Sequence, residues 1–271
     1  MVIRTQYLER LRPFYDSELV KVITGIRRCG KSTILRQVIA EIKENGIDDS
    51  HIVYINFEDY KYHKLTDADA FYEYVEQKIA DEGKYYLFFD EIQNVNNFEL
   101  VVNSFRATHN VSIFITGSNS KLLSGELATH LSGRTVSLRV LPFNFMEFCQ
   151  YKDISAPDYE ALLAEYMTYG GLPLVCGADN KETKEVILNN IYDAVVLKDI
   201  VMRNKIKSPL VLEKVLDYIV GNSSLTVSGN AIAGTLSSNG HKVSAPVVYD
   251  YLRCIVDACV CDKVSRYDIR G

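Results

Sequence analysis

The residues with the clearest capacity for chemistry begin at Gly25. Gly25, Gly30, Lys31 and Ser32 stand at the spacing G-x-x-x-x-G-K-[ST], between the apolar run of residues 19–23 and a stretch of helical periodicity. Glycines at a strand exit let backbone N–H groups converge, and the first turn of the following helix adds unpaired donors of its own. Such a cradle suits phosphate oxygens. Lys31 supplies a point charge for β- and γ-phosphates, and Ser32 offers a hydroxyl to Mg²⁺. The candidate binding loop is therefore Gly25, Ile26, Arg27, Arg28, Cys29, Gly30, Lys31, Ser32 and Thr33. A plain Gly-rich turn with a solvated lysine is the alternative.

A second group follows in LFFDEIQ, residues 87–93. Asp90 falls at the end of an apolar run, where its carboxylate can hold Mg²⁺, and the adjacent Glu91 can polarise an attacking water. On its own, such an acidic pair reads as an exposed turn; after a phosphate loop it reads as catalytic. The run VSIFITGSNS ends in Thr116, Ser118 and Asn119, of which Ser118 or Asn119 is the candidate contact to the water or the γ-phosphate. A capped turn is the competing reading for these two. Asn56 is a candidate to orient Glu91, against a local Asx turn. Arg134, in LSGR, is a candidate to neutralise charge developing on the γ-phosphate, within its own subunit or across an interface, against a structural salt bridge. Arg27 and Arg28 can equally face solvent or a neighbouring carboxylate.

These groups need a scaffold that brings strand ends together. The runs at 19–25, 51–57, 85–91 and 111–117 are nearly continuous apolar, β-branched or aromatic, as strands covered on both faces must be. Helical spacings separate them: Ile34, Leu35, Val38, Ile39 and Ile42; Phe71, Val75 and Ile79; Phe98, Val101, Val102 and Phe105. The alternation predicts an α/β fold with a parallel sheet and right-handed crossovers. An amphipathic helix is expected at the N-terminus. From about residue 143 helical patterns dominate, broken by a turn at YGGLP, residues 169–173. A helix opened by Ser208 and Pro209 and stopped by Gly221 follows, with Val211, Leu212, Val215, Leu216, Ile219 and Val220 as its expected buried face. Then come a short helix at 228–236 capped by Ser228, a longer one at 245–258 opened by Pro246, and a strand-like alternation at 259–267. That order matches a winged helix-turn-helix. The expected organisation is an α/β P-loop NTPase domain over 1–142, a helical lid or linker over 143–206, and a winged-helix domain over 207–271. The ending in DIRG suggests a fragment of a longer protein, cut inside the wing hairpin.

Charge is unevenly distributed. Residues 1–40 carry eight Lys/Arg against three Asp/Glu, whereas 41–110 carry six against fifteen, so the basic excess surrounds the glycine loop. No segment has the strongly basic balance of a typical DNA-binding domain. The expected recognition helix at 245–258 sets Arg253 against Asp250 and Asp257, which favours packing or a protein partner over DNA, although Lys242, Lys263 and Arg266 keep DNA open. The six cysteines form no C-x-x-C pair and read as reduced thiols; Cys254, Cys259 and Cys261 fit no common zinc spacing. No uncharged apolar run of about 18 residues occurs, so no membrane association is expected and a cytoplasmic location is.

On these stretches the chain resembles the prokaryotic AAA-type P-loop ATPases: KVITGIRRCGKSTIL, YINFED, LFFDEIQNV, FITGSNSKLLSGELATHLSGRTVSLRVLPFNFMEF and YGGLP occur in the family's order. The resemblance implies an additional strand between the Walker A and Walker B strands, Mg²⁺-dependent ATP binding and hydrolysis, and conformational change exerted on a protein or DNA partner. It places Lys31, Ser32, Asp90, Glu91, Ser118 and Asn119 on the family's site positions. Homo-oligomers are a further possibility. Relatives commonly continue into a domain resembling restriction endonucleases, which this sequence lacks. Competing readings are a slow ATP/ADP switch, a DNA-associated ATPase and a small-molecule kinase; Glu91 beside Asp90 favours water over a bound acceptor. No GTP-type N-K-x-D stretch occurs and no adenine reader stands out, so the base stays open.

Overall fold

The computed structural model describes residues 2–118, 131, 133–153 and 158–264. The chain divides into two compact units, residues 1–189 and 190–271.

The first unit opens with α1 (Thr5–Leu11), which buries Tyr7, Leu8 and Leu11. Strands and helices then alternate: β1 (Val20–Thr24), α2 (Lys31–Glu44), β2 (Ile52–Asn56), α3 (Ala68–Glu76), β3 (Tyr85–Asp90), α4 (Phe98–Thr108), β4 (Val111–Gly117) and β5 (Thr135–Arg139). The strands form one parallel sheet in the order β2-β3-β4-β1-β5. β4 lies between β1 and β3, the two strands that end in the glycine loop and the acidic pair, as the resemblance implies. β5 (TVSLR) carries no continuous apolar run and buries only Leu138, so its sequence signal is weak.

Period-two alternation sends side chains to opposite faces of the sheet. Val20, Val22, Phe89, Ile113 and Ile115 pack with Phe71, Val102 and Phe105 of α3 and α4. Ile23, Phe88 and Phe114 pack with Leu8, Leu11, Ile34 and Val38 of α1 and α2. Lys21 breaks the apolar pattern. Its side chain is fully buried, donating to Ser112 Oγ at 2.6 Å and Ser17 O at 3.2 Å, with Nζ 4.5 Å from the Phe114 ring centroid.

After β5 come α5 (Phe145–Lys152), α6 (Tyr159–Tyr169), α7 (Pro173–Cys176) and α8 (Lys181–Asp193). Asn144 and Glu147 cap α5 reciprocally, each side chain accepting from the other's backbone N–H. The Gly170-Gly171 turn is needed sterically: a Cβ on Gly171 would lie 2.0 Å from Phe143 O, and Gly171 O accepts from Phe143 N at 2.7 Å.

In the second unit, π-helical turns over Ala194–Met202 precede α9 (Pro209–Gly221), α10 (Gly229–Ser238) and α11 (Ala245–Asp257). Ser228 caps α10 through Ala231 N at 3.1 Å, as its position predicts. Of the expected α9 face, Leu212, Val215 and Leu216 are buried, whereas Val220 stands 72% exposed at the helix end. The strand expected from 259 does not form over 259–264. The N–H groups of Cys259 and Val260 return to Val256 O and Ile255 O to close α11, and Cys259 takes a φ of +59°. Residues 265–271, including Arg266, lie outside the described residues. Among the described residues no helix is long and apolar enough to cross a membrane.

Candidate active site

In a parallel sheet the loops leaving neighbouring strands meet at the carboxyl edge, and ligands bind where strand order reverses. Here those loops are 25–30 after β1, residues 91–97 after β3, and Ser118 after β4. Gly25 is required at the first turn: a Cβ there would lie 2.3 Å from Val140 O and 2.8 Å from Cys29 Sγ. Gly30, with a φ of +106°, is the N-cap of α2 and supplies no capping side chain, so the helix meets the loop with first-turn donors free of a side-chain cap.

Lys31 opens α2, and its side chain is buried. Its ammonium donates to Gly25 O at 3.2 Å and Ile26 O at 3.4 Å and stands 3.3 Å from Glu91 Oε1. The loop thus folds around its own lysine, and the lysine reaches the acid two strands away. Glu91 Oε2 accepts from Gln93 Nε2 at 2.5 Å. Burial pushes the Glu91 carboxyl up, but the Lys31 charge, the Gln93 and Lys31 hydrogen bonds and the Arg27 charge outweigh it and hold the carboxyl below its ordinary value. Glu91 itself adopts a left-handed backbone with a φ of +54°, uncommon for a non-glycine residue.

Asp90 is fully buried at the end of β3. Its Oδ1 accepts from Thr116 Oγ1 at 2.5 Å and its Oδ2 from Tyr54 OH at 2.9 Å. Both of these partners are neutral hydroxyls. Thr116 also accepts from Glu91 N at 2.9 Å, so one hydroxyl on the intervening strand fixes both acids. Burial first, and then the Asp90 charge, raise the Tyr54 phenol and keep it a donor. Ser118 is 1% exposed, and its Oγ has no hydrogen-bond partner among the described residues. An unpaired buried hydroxyl at the end of the middle strand is the kind of group a ligand satisfies.

These residues fit a magnesium nucleotide. Ser32 and Asp90 are the oxygen ligands such an ion takes, and Lys31 and the loop amides suit the phosphates. Among the described residues no group of three or more His, Cys, Asp or Glu could hold a metal ion.

The structure brings Gly25, Gly30, Lys31, Asp90 and Glu91 into one site. Arg27 pairs with Glu58 at 3.0 Å beside it, and Arg28 takes a loop φ of +67°. Two expectations change. Asn56 does not hold Glu91: its Oδ1 accepts from Glu58 N at 2.9 Å in the Asx turn, and Gln93 holds the glutamate instead. Arg134 is exposed and precedes Thr135, which pairs with Val20 at the start of β1. A five-residue strand separates that edge from the loop, about 17 Å at 3.3 Å per residue, so Arg134 is not gathered into the site of its own chain. Asn119 lies outside the described residues. Tyr54 and Gln93 carried no sequence signal, because their roles depend on strand register and on the turn after β3.

The family profile described as an AAA domain matches residues 17–149, and one for a domain of unknown function, DUF8612, matches residues 160–270. An uncharacterized protein of Haemophilus influenzae is 38% identical over 274 aligned residues, covering all of this chain and 68% of that protein. An uncharacterized protein of Methanocaldococcus jannaschii is 33% identical over 93% of this chain and 57% of its own length. The solved Walker-type ATPase of Pyrococcus abyssi superposes with a TM-score of 0.68 at 14% identity, covering 95% of this chain and 90% of that one, a likeness of fold. With the strand order, the glycine loop and the acidic pair in place, the chain belongs to the prokaryotic AAA-type P-loop ATPases.

Proposed function

We propose that the chain binds ATP with Mg²⁺ at residues 25–33 and hydrolyses it to ADP and phosphate. The observation that carries this reading is the 3.3 Å approach of Lys31 to Glu91 beside the buried, hydroxyl-bound Asp90. Triphosphate draws Lys31 away from the Gly25 and Ile26 carbonyls and from Glu91. The glutamate then loses its strongest restraint on basicity, and its pKa rises toward the range of a working base. Glu91 accepts the proton of the attacking water, while Thr116 holds the Glu91 peptide and the Asp90 carboxylate in register. Ser118 or Asn119 is the candidate contact to the water or the γ-phosphate. Ser32 and Asp90 would hold Mg²⁺, which when bound would neutralise charge on the phosphates.

Arg134, exposed at the opposite edge, fits a role across the interface of a homo-oligomer. We assign 1–142 to the NTPase domain, 143–206 to the helical lid or linker and 207–271 to a winged-helix domain that binds a partner. A protein partner is favoured over DNA because Arg253 on α11 is already paired with Asp250 at 2.9 Å. We place the protein in the cytoplasm, where ATP is supplied. The test is phosphate release from Mg·ATP without an added acceptor, for wild type and Lys31→Ala, with oligomeric state recorded with and without nucleotide. Wild type turns over and Lys31→Ala neither binds nor turns over. Stoichiometric bound nucleotide with almost no steady-state release would establish the slow switch instead.

A further inference from the structure

Arg4 precedes α1 and is an unusual guanidinium: 2% exposed, among the largest fully buried side chains in the chain. Gln37 of α2 seats it, accepting from Arg4 N at 3.1 Å and donating to Val2 O at 2.8 Å. Its side chain reaches three separate elements. Nε donates to Glu147 Oε1 on α5 at 2.6 Å, one Nη to Leu141 O at 3.0 Å, and the other to Cys29 O inside the phosphate loop at 3.3 Å. The rings of Tyr7 and Phe143 cover it, at 4.6 and 5.1 Å from their centroids.

Building on the ATP-binding reading, we propose that Arg4 is a positioning residue that presents the Gly30 N–H to phosphate and ties the loop to the first turn of α5. In a trans peptide the C=O and the following N–H point in opposite directions. Holding the Cys29 carbonyl toward the guanidinium therefore turns the Gly30 N–H away from it, to the side of the loop available to a ligand. Glu147, at the N3 position of α5 and bonded to Arg4 Nε, belongs to the capping box of that helix, so whatever fixes the loop also fixes the helix start.

The experiment uses the full chain as wild type, Arg4→Lys and Glu147→Gln, measuring Tm, the Kd for Mg·ADP and hydrogen exchange. Lysine keeps the charge beside Glu147 but cannot fork to two carbonyls. Arg4→Lys is expected to weaken Mg·ADP about tenfold, the scale of losing a charge-assisted pair of bonds at a planar fork. Glu147→Gln lowers Tm yet keeps Kd within about twofold, because Cys29 O is still held. In wild type, Mg·ADP slows exchange over 145–150 as well as 25–33, a readout that needs no variant. Unchanged Mg·ADP affinity in Arg4→Lys, Kd losses that merely follow Tm in both variants, or protection confined to 25–33 overturns the proposal. Failure of wild type to bind Mg·ADP at all would instead overturn the ATP-binding reading.

Discussion

Replacing Glu91 with glutamine separates nucleotide binding from hydrolysis. Glu91 Oε1 stands 3.3 Å from the Lys31 ammonium, with both side chains buried. At an effective dielectric of about 20, two unit charges at that distance attract by about 5 kcal/mol. Desolvation of a buried pair cancels most of this, leaving about 1–2 kcal/mol that nucleotide must displace to claim Lys31. Glu91→Gln removes that competitor. Mg·ATP should bind about 5–30-fold more tightly, the ratio to which that free energy corresponds, while the variant without nucleotide loses stability because Lys31 is left buried without its carboxylate. Turnover falls by about 10²–10⁴, the usual contribution of a positioned base. Calorimetric Kd values for Mg·ATP, melting curves without nucleotide and steady-state phosphate release provide the three readings. Equal or weaker Mg·ATP binding by the variant, or turnover within twofold of wild type, would refute the reasoning.

Two further perturbations probe the scaffold. Thr116→Val keeps the shape but deletes the hydroxyl bridging Asp90 Oδ1 and Glu91 N; stability should fall by about 1–3 kcal/mol and turnover about tenfold, and unchanged phosphate release excludes the bridge from the mechanism. Burial, then the Lys84 charge, lower the Lys21 amine to about 7 against the pull of Asp16. Between pH 7 and about 10 the unfolded chain then binds a proton there that the folded chain releases, so stability rises with pH by up to about 1.4 kcal/mol per unit, and flattens below pH 7 where both states are protonated. Lys21→Met removes this slope, and parallel wild-type and variant stability curves from pH 7 to 9 would show that Lys21 is not its source.

The chain's local patterns specified a large part of this molecule. Gly25, Gly30 and Lys31 are legible because a phosphate loop is a contiguous device: the turn, the free amides and the charge all lie within one strand-to-helix junction. The strands β1 to β4 and the helices at 209–221, 229–238 and 245–257 are legible because burial imposes a pattern on neighbouring residues. Other features depended on the tertiary structure. That Lys31 rests against Glu91, that Thr116 serves both acids, and that Tyr54 rather than Asn56 reaches across from β2 follow from register among β1, β4, β3 and β2, which residue spacing does not encode. Arg134 stood in a suggestive segment but lies just before the edge strand β5, at the far end of the sheet, and Arg4, which no sequence motif singles out, is enclosed by folding between the loop and α5. Sequence sets which groups a segment can offer; the pairing of distant strands, driven by burial of both sheet faces, decides which of those groups meet.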